Sequence, residues 1–264
     1  MLLLIAACEQ MPKTLLEAAD ARWKQGDYLG AVQMYERLVD EYPKSDYVDD
    51  AYYAIGTIEY LYLNNYPKAV EAFRKVVVDH PAAPLALQAQ RTLAEIYEKK
   101  YQDPRRAIAE YQKLLETMGS REAAEEIQYR IGEVYFDQGD YEQARNEWMQ
   151  LAKQSPKSDW ADNALYRAGS SYFLQGRYSE ALSVYQDTAA RYPDSDVRVE
   201  LKFWIANALE ELERFDEALE QYRALEKIYP NPKVVAVKVR NIESRLKSST
   251  NRVTVPPARA PASE

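Results

Sequence analysis

The stretch GDYLGAVQMYERLVDEYP, residues 26–43, decides the fold, because five further segments of the chain align with it without gaps. These segments are NNYPKAVEAFRKVVVDHP (64–81), QDPRRAIAEYQKLLETMG (102–119), GDYEQARNEWMQLAKQSP (139–156), GRYSEALSVYQDTAARYP (176–193) and ERFDEALEQYRALEKIYP (213–230). Their first residues are 37 or 38 positions apart. Self-similarity at a fixed period of this length is the signature of a repeat protein.

Three kinds of residue recur at fixed places in every unit. An alanine in each segment is followed four residues later by an aromatic residue, at Tyr35, Phe73, Tyr111, Trp148, Tyr185 and Tyr222. Twelve or thirteen residues before that alanine stands another small residue, at Ala19, Gly56, Ala94, Gly132, Gly169 and Ala206. Five of the six segments end at a proline, which cannot continue a helix interior and therefore ends the unit.

Each unit is predicted to be a pair of antiparallel helices. Turn signals such as Gln25-Gly26-Asp27 lie between the two small positions and are typical of one helix ending and another beginning. A glycine inside the first helix is about 0.5–1 kcal/mol less favourable than alanine. We therefore expect that it lets the two backbones come close, paired with the alanine of the second helix. One such hairpin cannot bury its apolar face alone, so neighbouring units are expected to stack.

This arrangement resembles the tetratricopeptide repeat, with six units over residues 14–230. The resemblance implies an all-α fold, a right-handed solenoid of six helix hairpins. After Pro230, four apolar residues share one helical face and predict a C-terminal capping helix, namely Val235, Val239, Ile242 and Leu246. The solenoid with this helix is predicted to cover residues 14–247. The polar, proline-rich residues 248–264 are predicted to be a disordered tail.

The chain begins MLLLIAACEQ, a short apolar run that ends in two alanines and Cys8. A helix that crosses a membrane needs about 20 apolar residues, more than this run supplies. The run resembles the lipobox of bacterial lipoproteins, which implies cleavage before Cys8 and acylation of its thiol. Residues 1–7 are then a residual signal segment and residues 8–13 a lipidated linker. Because no Lys or Arg precedes the run, we expect the natural start further upstream. The alternative is an apolar N-terminus with an incidental cysteine.

Composition and motifs argue against an enzymatic or metal-binding function. Cys8 is the only cysteine, so neither a disulfide framework nor a cysteine metal cluster is predicted. His80, the only histidine, aligns with tyrosines at the ends of sister units and is interpreted as a helix-end packing residue. We find no catalytic constellation, phosphate-binding loop or metal-ligand cluster. The prediction is a protein that is not an enzyme and holds no cofactor and no metal.

Charge is unevenly shared along the chain, whose net charge is −8. From Lys233 to Arg259 there are seven basic residues and one acidic residue, which gives a net charge of +6. Such a basic end could meet anionic lipid headgroups, an acidic partner or an acidic surface of another copy. The alternative is an ordinary solvated face of the capping helix.

Binding is the remaining function, and the repeat predicts its place. In tetratricopeptide proteins the first helix of each hairpin lines a concave groove, in a register set by the small residue. Positions three before and four after that residue give the predicted groove residues Tyr53, Tyr60, Tyr129, Phe136, Tyr166, Phe173 and Phe203. Tyrosine offers a large contact area with a polar tip, which suits a partner protein or peptide. The alternative is that these rings belong to the core between repeats. The lysines and asparagines with which cytosolic chaperone adaptors bind a terminal carboxylate are absent from these positions.

The linkers between units carry a closer resemblance. They repeat a YPxSx-like signature in YPKSDY (42–47), SPKSDW (155–160) and YPDSD (192–196), and each serine is predicted to cap the helix that follows. The signature is similar to that of the BamD family, outer-membrane lipoproteins that serve β-barrel assembly, and to that of the Tol-Pal-associated periplasmic coordinator. Together with the lipobox, it favours the BamD family.

The resemblance implies a non-enzymatic protein-interaction scaffold, anchored by lipid at the periplasmic face of the cell outer membrane. Its expected partners are envelope assembly components or peptide segments, with no nucleic acid and no small-molecule substrate. Glu9 follows the cysteine in place of the aspartate linked to inner-membrane retention, which favours the outer membrane. Two alternatives stay open: a Tol-Pal-type peptidoglycan or cell-division coordinator, and a cytosolic tetratricopeptide adaptor.

Overall fold

A computed structural model describes the backbone of residues 2–253 and the side chains of residues 11–120 and 122–247. Over that range the chain forms thirteen α-helices, and none of the described residues is in a β-strand. The helices belong to two compact units, Met1–Ile127 and Gln128–Glu264, with the boundary inside the seventh helix. The predicted all-α fold is confirmed: six helix hairpins are followed by one long helix.

The first unit contains three complete hairpins. In each of them the two helices pack on one another, and successive hairpins contact through the second helix of one and the first of the next. The first helix continues without a break across the predicted boundaries at residues 8 and 14. The helices of this unit are α1 (Leu2–Lys24), α2 (Tyr28–Glu41), α3 (Val48–Leu61), α4 (Tyr66–Asp79), α5 (Ala86–Lys99), α6 (Pro104–Thr117) and the first part of α7 (Arg121–Asp137).

The second unit repeats the same construction. It begins within α7 and ends with a helix that continues past residue 247, because no proline or glycine interrupts the sequence before Pro256. The rest of the predicted tail, residues 254–264, lies outside the described residues. After α7 the helices are α8 (Tyr141–Gln154), α9 (Ala161–Leu174), α10 (Tyr178–Arg191), α11 (Arg198–Glu211), α12 (Phe215–Leu225) and α13 (Pro232–Val253).

Each hairpin turns at one residue with a left-handed backbone, and this residue is the first of each aligned segment. Glycine adopts this conformation without steric cost, whereas other residues are strained by it. Three hairpins use a glycine and three do not: the φ angles are 82° at Gly26, 53° at Asn64, 50° at Gln102, 78° at Gly139, 71° at Gly176 and 58° at Glu213.

The linker serines accept a backbone hydrogen bond, but not as helix N-caps. The hydroxyl oxygen of Ser158 accepts the N–H of Trp160 at 3.1 Å, and that of Ser195 accepts the N–H of Val197 at 3.1 Å. In both cases the donor is the residue before the helix, not a residue of its first turn. The predicted capping bond is therefore wrong in its place: the serine closes the linker turn that precedes the helix.

The recurring aromatic residues form the centre of the core. All six are at most 2 % exposed, and in the hairpins that carry a glycine the ring lies directly on it, as Phe73 does on Gly56 and Tyr185 on Gly169. Our expectation that the glycine is paired with the alanine of the second helix is corrected accordingly. The space that the missing side chain leaves is taken by the aromatic ring four residues after that alanine.

The polar tips of these buried rings are bonded to the first helix of the same hairpin. Tyr35 donates to Asp20, Tyr111 donates to Glu98 at 2.8 Å, Tyr185 to Ser170 at 3.2 Å, and Tyr222 to Glu210 at 3.0 Å. The indole N–H of Trp148 donates to the carbonyl oxygen of Tyr129 at 3.1 Å. Because a buried donor without a partner is unfavourable, these bonds fix the orientation of each ring.

Candidate functional site

The predicted lipidation site lies outside the described side chains. Cys8 is within α1, but the structure describes side chains only from residue 11 onward. Its acylation therefore stays a prediction. Among the described residues, no helix has the length and apolar character needed to cross a bilayer.

Two of the predicted groove residues belong to the first unit. Tyr53 and Tyr60 are both half-buried on α3. The ring of Tyr53 packs edge-on against Phe73, with 5.6 Å between centroids, and the ring of Tyr60 lies 6.2 Å from that of Tyr66. The ammonium of Lys100 lies 5.9 Å from the Tyr60 centroid, which places a cation beside this tyrosine.

Five of the predicted groove residues belong to the second unit, and the first two lie on α7. Tyr129 is half-buried, with its ring 4.9 Å from Trp160 and 6.1 Å from Trp148. Tyr129 and Phe136 lie about one helix turn before and one turn after Gly132. The ring of Phe136 lies 5.6 Å from that of the same Trp148. The buried indole therefore supports both predicted groove rings of this helix.

The other three lie on α9 and α11. The ring of Tyr166 lies 6.1 Å from that of Tyr185. Phe173 and Phe203 are joined through Trp204, whose ring is 5.0 Å from the first and 6.1 Å from the second. All three predicted residues are half-buried. In the second unit the predicted positions thus form a row of rings, each with one side packed on the core and one side partly exposed.

Sequence reasoning missed three aromatic members of this row. Trp160 packs on Tyr129, Trp204 on Phe173, and Tyr229 stacks on Phe203 with 4.5 Å between centroids. Trp160 ends the second linker signature, so its place at the end of the linker was the signal that could have identified it. Nothing in the spacing rule pointed to Trp204 or Tyr229, because both lie outside the register of the small residues.

Arginine–glutamate pairs accompany the rings. In the first unit Arg91, which replaces an aromatic residue in the groove register, forms a two-bond pair with Glu126 at 3.0 and 2.9 Å. In the second unit Arg167 donates to Glu133 at 3.3 Å, and its guanidinium carbon lies 4.7 Å from the centroid of Phe136. The Nε atom of Arg167 is buried and has no hydrogen-bond partner. This guanidinium is therefore held by its ion pair with Glu133 and by its stacking on the ring, and not through Nε.

Burial changes the acidity of the tyrosines in this row. It raises the pKa of Tyr129, an effect strengthened by the charge of Glu133 and opposed by that of Arg167. Burial also raises the pKa of Tyr166. A tyrosine hydroxyl is protonated at neutral pH in any case, and the raised pKa extends the protonated, hydrogen-bond-donating form to higher pH.

His80 occupies the place predicted for it at the end of a helix. It is the C-cap residue of α4, and its backbone N–H donates to the carbonyl oxygen of Val76 at 3.1 Å. The described part of the chain contains no group of three His, Cys, Asp or Glu side chains placed to hold a metal ion.

Helix hairpins of this kind, which recur with a row of half-buried rings on their first helices, define a helical repeat protein. The family comparison gives the particular repeat. The tetratricopeptide-repeat profiles match residues 13–45, 57–117, 123–194 and 166–231. The chain therefore belongs to the tetratricopeptide-repeat family, whose members mediate contacts between proteins. No curated protein sequence matches the chain.

Solved structures with the same fold include three that cover most of the chain. The Naa15/Naa10 complex bound to HypK-THB is 17% identical, with a TM-score of 0.66 over 96% of this chain and 37% of that one. A tetratricopeptide protein from Parabacteroides merdae is 15% identical, with a TM-score of 0.52 over 89% and 99%. PilW, a type IV pilus biogenesis factor, is 16% identical, with a TM-score of 0.50 over 88% and 98%. At these identities the similarity shows the fold alone.

Proposed function

We propose that the chain is a non-enzymatic interaction scaffold, held by a lipid on Cys8 at the periplasmic face of the outer membrane. In this proposal it acts in β-barrel assembly, as BamD-like lipoproteins do. The lipobox-like ending before Cys8 and the repeated linker signature support the cellular role. The observation that supports the binding role is the row of half-buried rings in the second unit, which includes Tyr129, Tyr166 and Phe203.

A half-buried aromatic ring is well suited to partner binding. Its packed side fixes the ring before the partner arrives, so little side-chain entropy is lost on binding. Its exposed side supplies apolar contact area, and a tyrosine adds a hydroxyl that can donate to a peptide carbonyl. Rings held on Trp148 and Tyr185 meet these requirements, because both supports are fully buried.

The anchor is tested by fractionation. When both are expressed behind a lipoprotein signal sequence, the wild type is expected in the membrane fraction and Cys8→Ser in the soluble fraction. An acyl chain contributes about 0.8 kcal/mol per buried CH₂, and stable anchoring needs more than one chain, so a diacylated cysteine suffices. Equal partitioning of the two proteins, or a wild-type N-terminal peptide without the mass of an acyl modification, contradicts the anchor.

The row of rings in the second unit is tested by cross-linking and pull-down of envelope proteins with the groove variant Tyr129→Ala/Tyr166→Ala. The matched control removes two rings outside the predicted register, Tyr62 and Tyr101, which are 44% and 40% exposed. The groove variant is expected to lose its partner, while the control keeps it. The melting temperature is measured alongside, since truncation of a fully buried aromatic residue costs about 3–5 kcal/mol. Loss of binding only in proportion to loss of folded protein contradicts a contact role.

Depletion in the cell separates the proposed role from its alternatives. A BamD-like scaffold is expected to lower the levels of several unrelated outer-membrane barrels together when it is depleted. Unchanged barrel levels with constriction defects or detergent sensitivity favour the Tol-Pal-type coordinator instead. If the chain is found in the cytosol, and depletion changes neither barrel levels nor cell constriction, the cytosolic adaptor is favoured.

A further inference from the structure

The last helix, α13, has two apolar faces, of which only one is used by the fold. Val235, Val239 and Ile242 are buried against the rest of the second unit. On another side of the same helix, Val234 is 38% exposed and Val237 is 45% exposed. Written as a heptad, Val234 and Val237 take positions a and d, and Asn241 and Ser244 take the next a and d.

Basic residues border this second face. Lys233, Arg240 and Lys247 occupy three successive g positions, so they lie about 10.5 Å apart along one line of the helix. All three are exposed, and none has an acidic partner among the described side chains. The e positions are basic as well, but Lys238 is paired with Glu210 at 2.9 Å and Arg245 lies over Phe215.

A hollow of about 390 Å³ opens beside the two valines. Its lining includes Val234, Val237 and Asn241 from α13, and Glu210 from α11. The carboxylate of Glu210 is already bonded to the hydroxyl of Tyr222 and to the ammonium of Lys238. The hollow therefore offers two exposed valines, with the unpaired Lys233 at its edge and a carboxylate that is already bonded.

We propose that this face of α13, defined by Lys233, Val234, Val237, Arg240 and Lys247, binds an acidic amphipathic α-helix of a partner protein. Apolar residues of that helix enter the hollow beside the valines, and its carboxylates pair with the three cations. A second α13 does not fit, because all of its own e and g positions are basic and would face like charges. A lipid surface fits less well, because this face has only two valines and no aromatic or leucine residue to enter a bilayer.

This proposal is independent of the aromatic row and of the lipid anchor. It can therefore be tested with the full chain carrying Cys8→Ser, whatever becomes of the proposed function. The probe is a labelled 21-residue helical peptide with Leu at a and d and Glu at e and g, titrated by fluorescence anisotropy. The acidic peptide is expected to bind at least about tenfold more tightly than the same peptide with Lys at e and g, since facing e and g charges select the partner.

A charge-reversed variant provides the decisive comparison. Lys233→Glu/Arg240→Glu/Lys247→Glu is expected to abolish the preference for the glutamate peptide, because the three cations that select it become anions. The matched control reverses three exposed lysines elsewhere, Lys44, Lys153 and Lys157, and is expected to keep the original preference. Circular dichroism establishes that each variant is folded. An unchanged preference in the first variant, or a lost one in the control, overturns the proposal.

The apolar contact is tested separately. A peptide with Ser at a and d but the same charges is expected to bind at least about tenfold less tightly than the leucine peptide, because its apolar contacts are removed. Val237→Ser in the chain is expected to lower the affinity for the leucine peptide and to leave the affinity for the serine peptide unchanged. Equal binding of the two peptides overturns the proposal, since the surface would then be only electrostatic. If the chain binds phosphatidylglycerol vesicles and does not distinguish the acidic peptide from the basic one, the proposal is overturned in favour of a lipid surface.

Discussion

Gly132 lies directly under the indole of Trp148, so that a Cβ atom on residue 132 would lie only 2.7 Å from the Cε2 atom of that ring. The two residues belong to the two helices of one hairpin, α7 and α8. The indole is fully buried and is bonded through its N–H to the backbone of α7. The glycine is therefore required by the size of the ring that covers it.

Gly132→Ala is expected to destabilise the protein by about 1–3 kcal/mol, the usual effect of overpacking a core. The helix propensity of alanine acts in the opposite direction, so a loss of stability identifies the clash. The matched control is Gly119→Ala, where an added Cβ meets nothing within 4 Å and φ is not in the left-handed region. Urea denaturation measures both. A neutral or stabilising result for Gly132→Ala would contradict the packing described here.

Glu213→Gly is expected to stabilise the protein. Glu213 has a φ angle of 58°, a conformation that costs a non-glycine residue about 1–2 kcal/mol. The greater freedom of glycine in the unfolded chain offsets about 0.4–1 kcal/mol of that gain. The net expectation is about 0.5–1 kcal/mol, measured by thermal unfolding. Gly176→Ala, at the equivalent position of another hairpin, is expected to change stability in the opposite direction.

Stability is expected to fall above pH 10. Burial raises the pKa of Tyr35, Tyr185 and Tyr222 well above the ordinary value of about 10. Because the folded state keeps these hydroxyls protonated, their contribution is complete below the pKa of the unfolded chain and is lost as pH rises beyond it. At pH 11, deprotonation of each of these tyrosines in the unfolded chain is expected to lower the free energy of unfolding by about 1.4 kcal/mol. Denaturation at several pH values measures this loss, which should be smaller by one tyrosine's share in Tyr185→Phe.

Arg91 and Glu126 are expected to be coupled by about 0.5–1 kcal/mol, the range for partly exposed ion pairs of good geometry. Their side chains are 27% and 42% exposed, and both hydrogen bonds of the pair are present. A double-mutant cycle with Arg91→Ala and Glu126→Ala measures the coupling. It should decrease in high salt, because exposed charges are screened. No coupling at low salt would mean that the pair does not stabilise the first unit.

The hairpins and their turns could be predicted because their determinants are close together in the sequence. The 37- or 38-residue period, the small residues and the closing prolines give six hairpins, and the structure contains all six. The role of the glycines was not predictable in the same way. The ring of Phe73 reaches back over Gly56 from another helix, and the spacing alone did not tell whether ring or backbone fills that space.

The helices that carry the predicted groove residues could be predicted, but the exposure of those residues could not. Tyr129 and Tyr166 lie where the spacing predicts, on the first helices of their hairpins. Their half-buried state depends on Trp148, Trp160 and Tyr185, which come from other helices or linkers. One side of each ring is therefore part of the core, and the contact role of its other side stays a prediction.

By itself, the sequence determined the repeat, its length, the all-α class and the positions of the turns, because these depend on residues within one hairpin. Only the tertiary structure decided which side of each ring is covered, that Arg91 pairs with Glu126, and that α13 leaves Val234 and Val237 exposed. These features depend on contacts between helices that are distant along the chain. The free energy of such contacts comes from shape and burial, which no periodicity in the sequence specifies.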